Sequence, residues 1–305
     1  MIQLQTFSPH KISFGTTERI SDLNLGQNDI NVANCNYLFR NNETKPKNIV
    51  EFLIKKAKLK EKTEMKIWGC SDLSSFISKI FAMRQQIDSK TQDRLFNDIE
   101  LIDIDKNLIE RNSKRLIGLT QADFDDLSYE YNINPLKEFE KVEDKNFFLK
   151  GEPKRIYTAS YVDYKLRGYD ALEEQKIIPY RFKEDLLKNT KLRVADIRKD
   201  VKNLTESNPN TLRIFEFANG WYFMPEKDQM ELACDFSKKM KVDDILIIGS
   251  VELSHNIDRA LEKLGFKKHE RMKEVFIKEK DLLPNEFKKI RKYLIKNAKD
   301  IIQYF

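Results

Sequence analysis

The stretch from Met65 to Asp105 limits the possible fold more than any other part of the chain. Met65-Lys66-Ile67-Trp68 is a short apolar run, Gly69-Cys70-Ser71-Asp72 reads as a turn, and Leu73, Phe76, Ile77, Ile80 and Phe81 recur on one helical face. Ile99-Glu100-Leu101-Ile102 follows as a second buried-strand pattern and ends in Asp103-Ile104-Asp105. Strand, tight turn, helix, strand, acid is the opening of a nucleotide-binding α/β sheet. The turn brings backbone close to a ligand, and an acid about twenty to thirty residues on can bind ribose hydroxyls. A pyrophosphate cradle would need G-x-G-x-x-G, and a single glycine stands in this turn. That argues against NAD or FAD and leaves room for a ligand with ribose and adenine but no phosphate, such as S-adenosylmethionine. The same pattern also fits any parallel βαβ unit in which Asp103 and Asp105 cap the next helix.

The rest of the chain supplies the other parts of such a sheet. Residues 1–30 are polar and irregular, and a helix is expected from Pro46 to Lys62. A further helix is expected from Lys106 to about Leu116. From Thr120 to about Lys188 the βα rhythm lapses into a stretch rich in tyrosine, phenylalanine and charge, which reads as an inserted subdomain at 120–188. Such an insertion could bind the substrate or a partner protein, or be packed by its own aromatics. Strands then return at Leu192–Ile197, Leu212–Asn219 and Asp243–Ser250, the last with an unbroken Ile/Leu run that suits burial on both faces. A helix from Ile257 to Leu264 stops at Gly265, two short strands follow within Lys267–Lys278, and a final helix starts at Pro284. The expected fold is an α/β, Rossmann-like sheet with helices on both faces and an inserted subdomain. Residues 31–305 form the main domain.

Composition removes several classes of function. No apolar run is long enough to span a bilayer, and the amino terminus has no signal-peptide pattern. Three separate cysteines and three isolated histidines give no metal-ligand spacing and fit a reducing cytoplasm. The net charge of +6 comes from 55 basic and 49 acidic residues, a mild and dispersed excess that argues against a nucleic-acid partner.

Taken in order, these segments resemble the CheR-type S-adenosylmethionine-dependent methyltransferases, which esterify receptor glutamates. The family's Asn-x-Thr-x-Phe-Phe-Arg is similar to Asn34-Cys35-Asn36-Tyr37-Leu38-Phe39-Arg40, with Asn36 where threonine is usual. Its Cys-Ser-Thr-Gly-Glu-Glu turn resembles Cys70-Ser71-Asp72-Leu73-Ser74-Ser75, without the glycine and both glutamates. Its Asp-Ile-Asp is Asp103-Ile104-Asp105, and its Asn-Leu resembles Asp196-Ile197. Its Arg-Asn followed by Tyr-Phe resembles Ala218-Asn219 followed by Tyr222-Phe223, and its Gly-His-Ser-Glu resembles Gly249-Ser250-Val251-Glu252. The likeness runs from residue 31 to 278. The family's helical amino-terminal domain has no counterpart in the residues before Asn34.

The resemblance implies a Rossmann-like class I methyltransferase sheet and S-adenosylmethionine as cofactor. It implies a cofactor site of Asn34, Asn36, Arg40, Gly69, Ser71, Asp103, Asp196, Ile197 and Asn219, with Asp103 on the ribose and Asp196 and Ile197 at the adenine. Arg40 and Tyr222 are the catalytic candidates, with Tyr37 as an alternative to Tyr222. A carboxylate nucleophile is already ionised near neutral pH, so it needs aiming, and an arginine fork suits that task. The acceptor would be an acidic protein or small molecule, and no metal is called for. Leu73 in the glycine's place could block the cofactor's amino-acid end. That substitution supports a different reading, a catalytically inactive member of the fold acting as a protein-interaction module.

Overall fold

The computed structural model describes residues 46–149, 152–205, 208–217, 221, 224–248 and 255–298. It opens with α1 (Pro46–Ala57), whose Ile49, Val50, Leu53, Ile54 and Ala57 form one buried stripe. Next come β1 (Lys62–Trp68), α2 (Ser74–Arg84), α3 (Ser89–Leu95), β2 (Ile99–Asp103) and α4 (Lys106–Ser113). The chain continues through β3 (Leu116–Leu119), α5 (Gln121–Tyr131), α6 (Pro135–Glu138), β4 (Phe139–Lys141), β5 (Arg155–Thr158), α7 (Tyr161–Arg167), β6 (Glu173–Lys176) and β7 (Ile178–Phe182). It then runs through β8 (Thr190–Val194), α8 (Ile197–Asp200), β9 (Thr211–Phe217), α9 (Glu226–Lys239), β10 (Ile245–Ile248), α10 (His255–Lys263), β11 (Phe266–Lys268), β12 (Val275–Lys278) and α11 (Pro284–Asn297).

Seven strands make the central sheet, in the order β11-β12-β10-β9-β1-β2-β8. Every pairing is parallel except those of β12, which runs antiparallel to both β10 and β11. Among these seven, the chain fills the centre first, builds outward through β2 and β8, then crosses to the other side of β1 for β9 and β10. The last strand inserts between the fifth and the sixth. This is the Rossmann-like class I methyltransferase sheet, and its order reverses between β1 and β9. Open α/β sheets bind ligands in the crevice beyond the carboxyl ends of the strands at such a reversal.

Both faces are covered, which explains why β10 is buried at all four positions. Ile214 of β9 packs with α1 and α2 on one face. Phe215 and Phe217 pack with α9, α10 and Leu294 of α11 on the other. On that second face Trp68, Phe215 and Phe236 meet ring to ring, with centroids 5.7, 5.8 and 6.1 Å apart. Such aromatic pairs are each worth about 0.5–1.5 kcal/mol beyond their buried area.

The segment between α4 and β8 carries its own antiparallel sheet, β3-β7-β4, and a second, two-stranded antiparallel sheet, β5-β6. It leaves the main sheet earlier than the aromatic-rich stretch signals. The helix expected to reach about Leu116 ends at Ser113, Arg115 turns the chain at φ +60°, and Leu116 already lies in β3. Phe124, Leu127, Tyr131, Phe139 and Phe182 join the same core as α2, so the insertion and the main sheet share one hydrophobic interior. No helix among the described residues is long and apolar enough to cross a membrane.

Candidate functional site

β1 ends at Trp68, and the five residues after it make an unusual turn. Gly69, Ser71 and Leu73 all take left-handed backbone, at φ +64°, +52° and +68°. A Cβ on Gly69 would meet Phe217 ring carbons at 3.6 and 3.8 Å, an ordinary contact, so within the chain the glycine is required for its φ. At Ser71 and Leu73 the same backbone costs about 1–2 kcal/mol each. Local contacts offset that cost. The Cys70 amide donates to the Ile102 carbonyl at 3.1 Å, and Asn112 of α4 donates from Nδ2 to the Ser71 carbonyl at 2.7 Å. Asp72 accepts from the Ser74 amide and hydroxyl at 3.2 and 2.8 Å. Burial pushes the Asp72 carboxyl up to about 6, against the pull of Ser74 and Arg111. Leu73 is fully buried in the core beneath α2. Its side chain fills that interior.

Asp103 closes β2 and is only 3% exposed. Its Oδ2 accepts from the Ser71 amide at 3.0 Å and its Oδ1 from the Asp105 amide at 2.9 Å, so it ties the first turn to the second. Burial raises its carboxyl, helped by the Asp105 charge and opposed by the amides. The helix-capping role belongs to Asp105, which accepts from the Asn107 amide at 2.8 Å. Between these two buried acids, Ile104 is 51% exposed, and Val194 at the end of the adjoining β8 is 46% exposed. The Ala195 amide donates to the Asp103 carbonyl at 2.9 Å, which fixes those two strand ends side by side.

Asp196 follows β8 and caps α8, with Oδ1 accepting from the Arg198 amide at 2.9 Å. The Arg198 guanidinium also grips both carboxylate oxygens, with Nη2 to Oδ2 at 2.8 Å. Burial alone would raise this carboxyl, but Arg198 outweighs it and holds it below the usual range. Ile197 is buried in the core on the α9 side.

The structure thus gathers Gly69, Ser71 and Asp103 at one turn and sets Asp196 and Ile197 beyond the neighbouring strand. Asn34, Asn36, Tyr37, Arg40, Asn219 and Tyr222 lie outside the described residues. Sequence reasoning passed over Asn112, Ile104 and Val194. Ile104 had a signal, an apolar residue between two acids at a strand end; Asn112 had none. Among the described residues, no group of three or more His, Cys, Asp or Glu side chains could hold a metal ion.

No protein-family model matches the chain, and no curated protein sequence matches it. Among solved structures, the crystal structure of MnmC2 from Aquifex aeolicus matches at 13% identity and a TM-score of 0.34, over 78% of this chain and 61% of that one. A possible exported protein from Bordetella parapertussis matches at 9% identity and a TM-score of 0.31, over 76% of this chain and 67% of that one. The chain therefore spans 61% of the length of the Aquifex protein. Both scores are low, and the fold assignment rests on the strand order and directions.

Proposed function

We propose that this chain is a CheR-like, S-adenosylmethionine-dependent methyltransferase of the cytoplasm that methylates a carboxylate of a protein or of a small acidic acceptor. The observation that carries the reading is the turn at the sheet's reversal point. Leu73 stands where the family has glycine and still holds a glycine conformation, φ +68°. Backbone strain of this kind persists where the surrounding structure enforces a particular shape, and it gathers at ligand sites.

The residues present fit the group. Both Asp103 oxygens accept amides, and a carboxylate oxygen has two acceptor sites, which leaves acceptor capacity for ribose hydroxyls. Ile104 and Val194 offer exposed apolar surface for a flat base. When bound, the cofactor supplies a methyl group on a sulfonium, whose transfer leaves a neutral thioether. In this reading Asp196 and Ile197 border the adenine, and Gly69 and Ser71 shape the wall beside the ribose. Asn34, Asn36 and Asn219 line the rest of the cofactor. Arg40 aims one oxygen of the acceptor carboxylate, and Tyr222 donates a hydrogen bond at the same place. Holding donor and nucleophile in line, with water kept out, is the main catalytic task of such a site.

A second reading, an inactive fold member that binds a partner protein, draws on two observations. Arg198 already occupies both Asp196 oxygens, and Tyr129, Leu136 and Leu166 of the insertion are exposed. Calorimetry separates the two readings. The enzyme reading expects saturable binding of S-adenosylmethionine and of S-adenosylhomocysteine. It also expects label from methyl-labelled cofactor to enter an acceptor and to leave as methanol in mild base, as an ester does. No heat at millimolar ligand with folded protein removes the enzyme reading and leaves the interaction module.

A further inference from the structure

Below the strained turn sits a pair of opposite charges. Lys79 of α2 meets Glu216 of β9, Nζ to Oε1, at 2.8 Å, and both side chains are 3% exposed. The same Nζ donates to Ser75 Oγ at 2.8 Å, one turn nearer the start of the helix, where Ser75 is half-buried. Glu216 is the penultimate residue of β9 and lies level with Ile67 of β1, in the two strands between which the sheet order reverses. Their neighbours on this face, Ile67, Ile77, Ile80 and Ile214, are apolar. Two charges in such a place are costly to desolvate, and an apolar pair of similar volume would commonly serve stability as well or better.

The hydrogen-bond count gives the charges a use. An ammonium has three donors, and Lys79 uses two of them among the described residues. Glu216 Oε2 is buried and has no hydrogen-bond partner among those residues. The pair therefore keeps one unused cationic donor and one unused anionic acceptor a few ångströms apart. That is the complement of an α-amino acid zwitterion, which brings one carboxylate and one ammonium.

We propose that Lys79, Glu216 and Ser75 form the subsite for the α-amino-carboxylate end of the ligand. The ligand ammonium binds Glu216 Oε2, and its carboxylate binds Lys79 Nζ and Ser75 Oγ. The assignment rests on the cofactor reading above and extends it. Asp103, Ile104 and Val194 lie on the β2 and β8 side of β1, whereas Glu216 lies on the β9 side. A ligand with its nucleoside on the first set and its amino-acid end on the second spans the reversal point. Of the other candidates away from the nucleoside, Asn34, Asn36 and Asn219 are neutral and Arg40 brings only a cation, so none supplies the anion that the ligand ammonium needs.

The test compares S-adenosylhomocysteine with 5′-methylthioadenosine, which keeps the adenosine and thioether and lacks the amino-acid group. The unaltered protein should prefer S-adenosylhomocysteine by roughly a hundredfold, the size expected for charge-assisted bonds in a buried site. In the double variant Lys79→Met with Glu216→Gln, neither charge is left alone in the core. It should bind both ligands within a few-fold of each other, with unchanged affinity for methylthioadenosine and a native-like melt. Ser75→Ala, at a half-buried position where little structure is at stake, should weaken S-adenosylhomocysteine alone by about tenfold. If the unaltered protein binds both ligands equally, or if the variants keep its preference, the subsite is overturned while the cofactor reading stands. If the unaltered protein binds neither ligand, the cofactor reading fails and the subsite fails with it.

Discussion

Leu73 sets two physical terms against each other at a single residue. Its side chain is fully buried, which favours a large apolar group, while its backbone at φ +68° favours glycine. Truncating a buried leucine to alanine costs about 2–5 kcal/mol, and Leu73→Ala keeps the left-handed strain as well. Leu73→Gly loses slightly more packing but relieves about 1–2 kcal/mol of strain. The expected outcome is that both variants are destabilised and that the glycine variant is the more stable of the two, by about 1 kcal/mol. In an ordinary helix that order is reversed. Urea midpoints of the two variants decide it, and an alanine variant more stable than the glycine variant would remove the strained turn. The sequence identifies Leu73 as the odd residue at this position. It does not say that the chain keeps the backbone shape and sends the side chain inward, because φ and burial follow from the packing of α2 on the sheet.

At the scale of elements, the junction from α10 into β11 and β12 is the most tightly determined. Gly265 takes φ +89°, and a Cβ placed there would stand 2.4 Å from the Lys280 carbonyl oxygen. The Glu279 and Lys280 amides both donate to the Gly265 carbonyl, at 2.9 and 3.2 Å. Beside it, buried Lys278 donates to the Leu264 carbonyl at 3.0 Å and to the Ser237 carbonyl and hydroxyl at 3.0 and 2.9 Å, which closes the ends of α9 and α10. Gly265→Ala must pay the left-handed penalty and also displace backbone, so a loss of about 3 kcal/mol is expected in chemical denaturation. A loss under about 1 kcal/mol would mean that the turn relaxes freely. This helix end was legible, since a glycine after an apolar helical stripe is a local signal. So were the start of α11 at Pro284 and the buried run of β10. The end of α4 was not, because Leu116 continues the helical spacing, and Arg115 leaves the helix only where β3 finds β7 far along the chain.

For the whole molecule, legibility followed sequence distance. The parallel sheet could be read from apolar runs separated by helices. The small sheet β3-β7-β4 could not, because its strands are three to five residues long and are paired across the insertion. The carboxyl edge of the sheet was legible as residue types, with Asp103 ending β2 and Asp196 following β8, but their hydrogen-bond partners depend on loops packed in three dimensions. The shared core makes one prediction about the molecule as a unit. Phe81 of α2 meets Tyr131 and Phe139 of the insertion at ring centroid distances of 6.0 and 6.1 Å. Arg111 of α4 holds both Glu152 oxygens, at 2.8 and 2.7 Å, and its guanidinium lies 4.9 Å from the centre of the Phe147 ring. Removing the insertion would expose the α2 face of the sheet, so neither part has a complete interior without the other. Trp68 and Trp221 lie in the opposite core, so tryptophan fluorescence reports the α9 side, while amide exchange in β3 and β7 reports the insertion. Urea should unfold both with one midpoint, since coincident transitions by independent probes mark a single cooperative unit. Exchange in β3 and β7 at urea concentrations that leave the fluorescence unchanged would show instead that the insertion opens as a lid on an intact sheet.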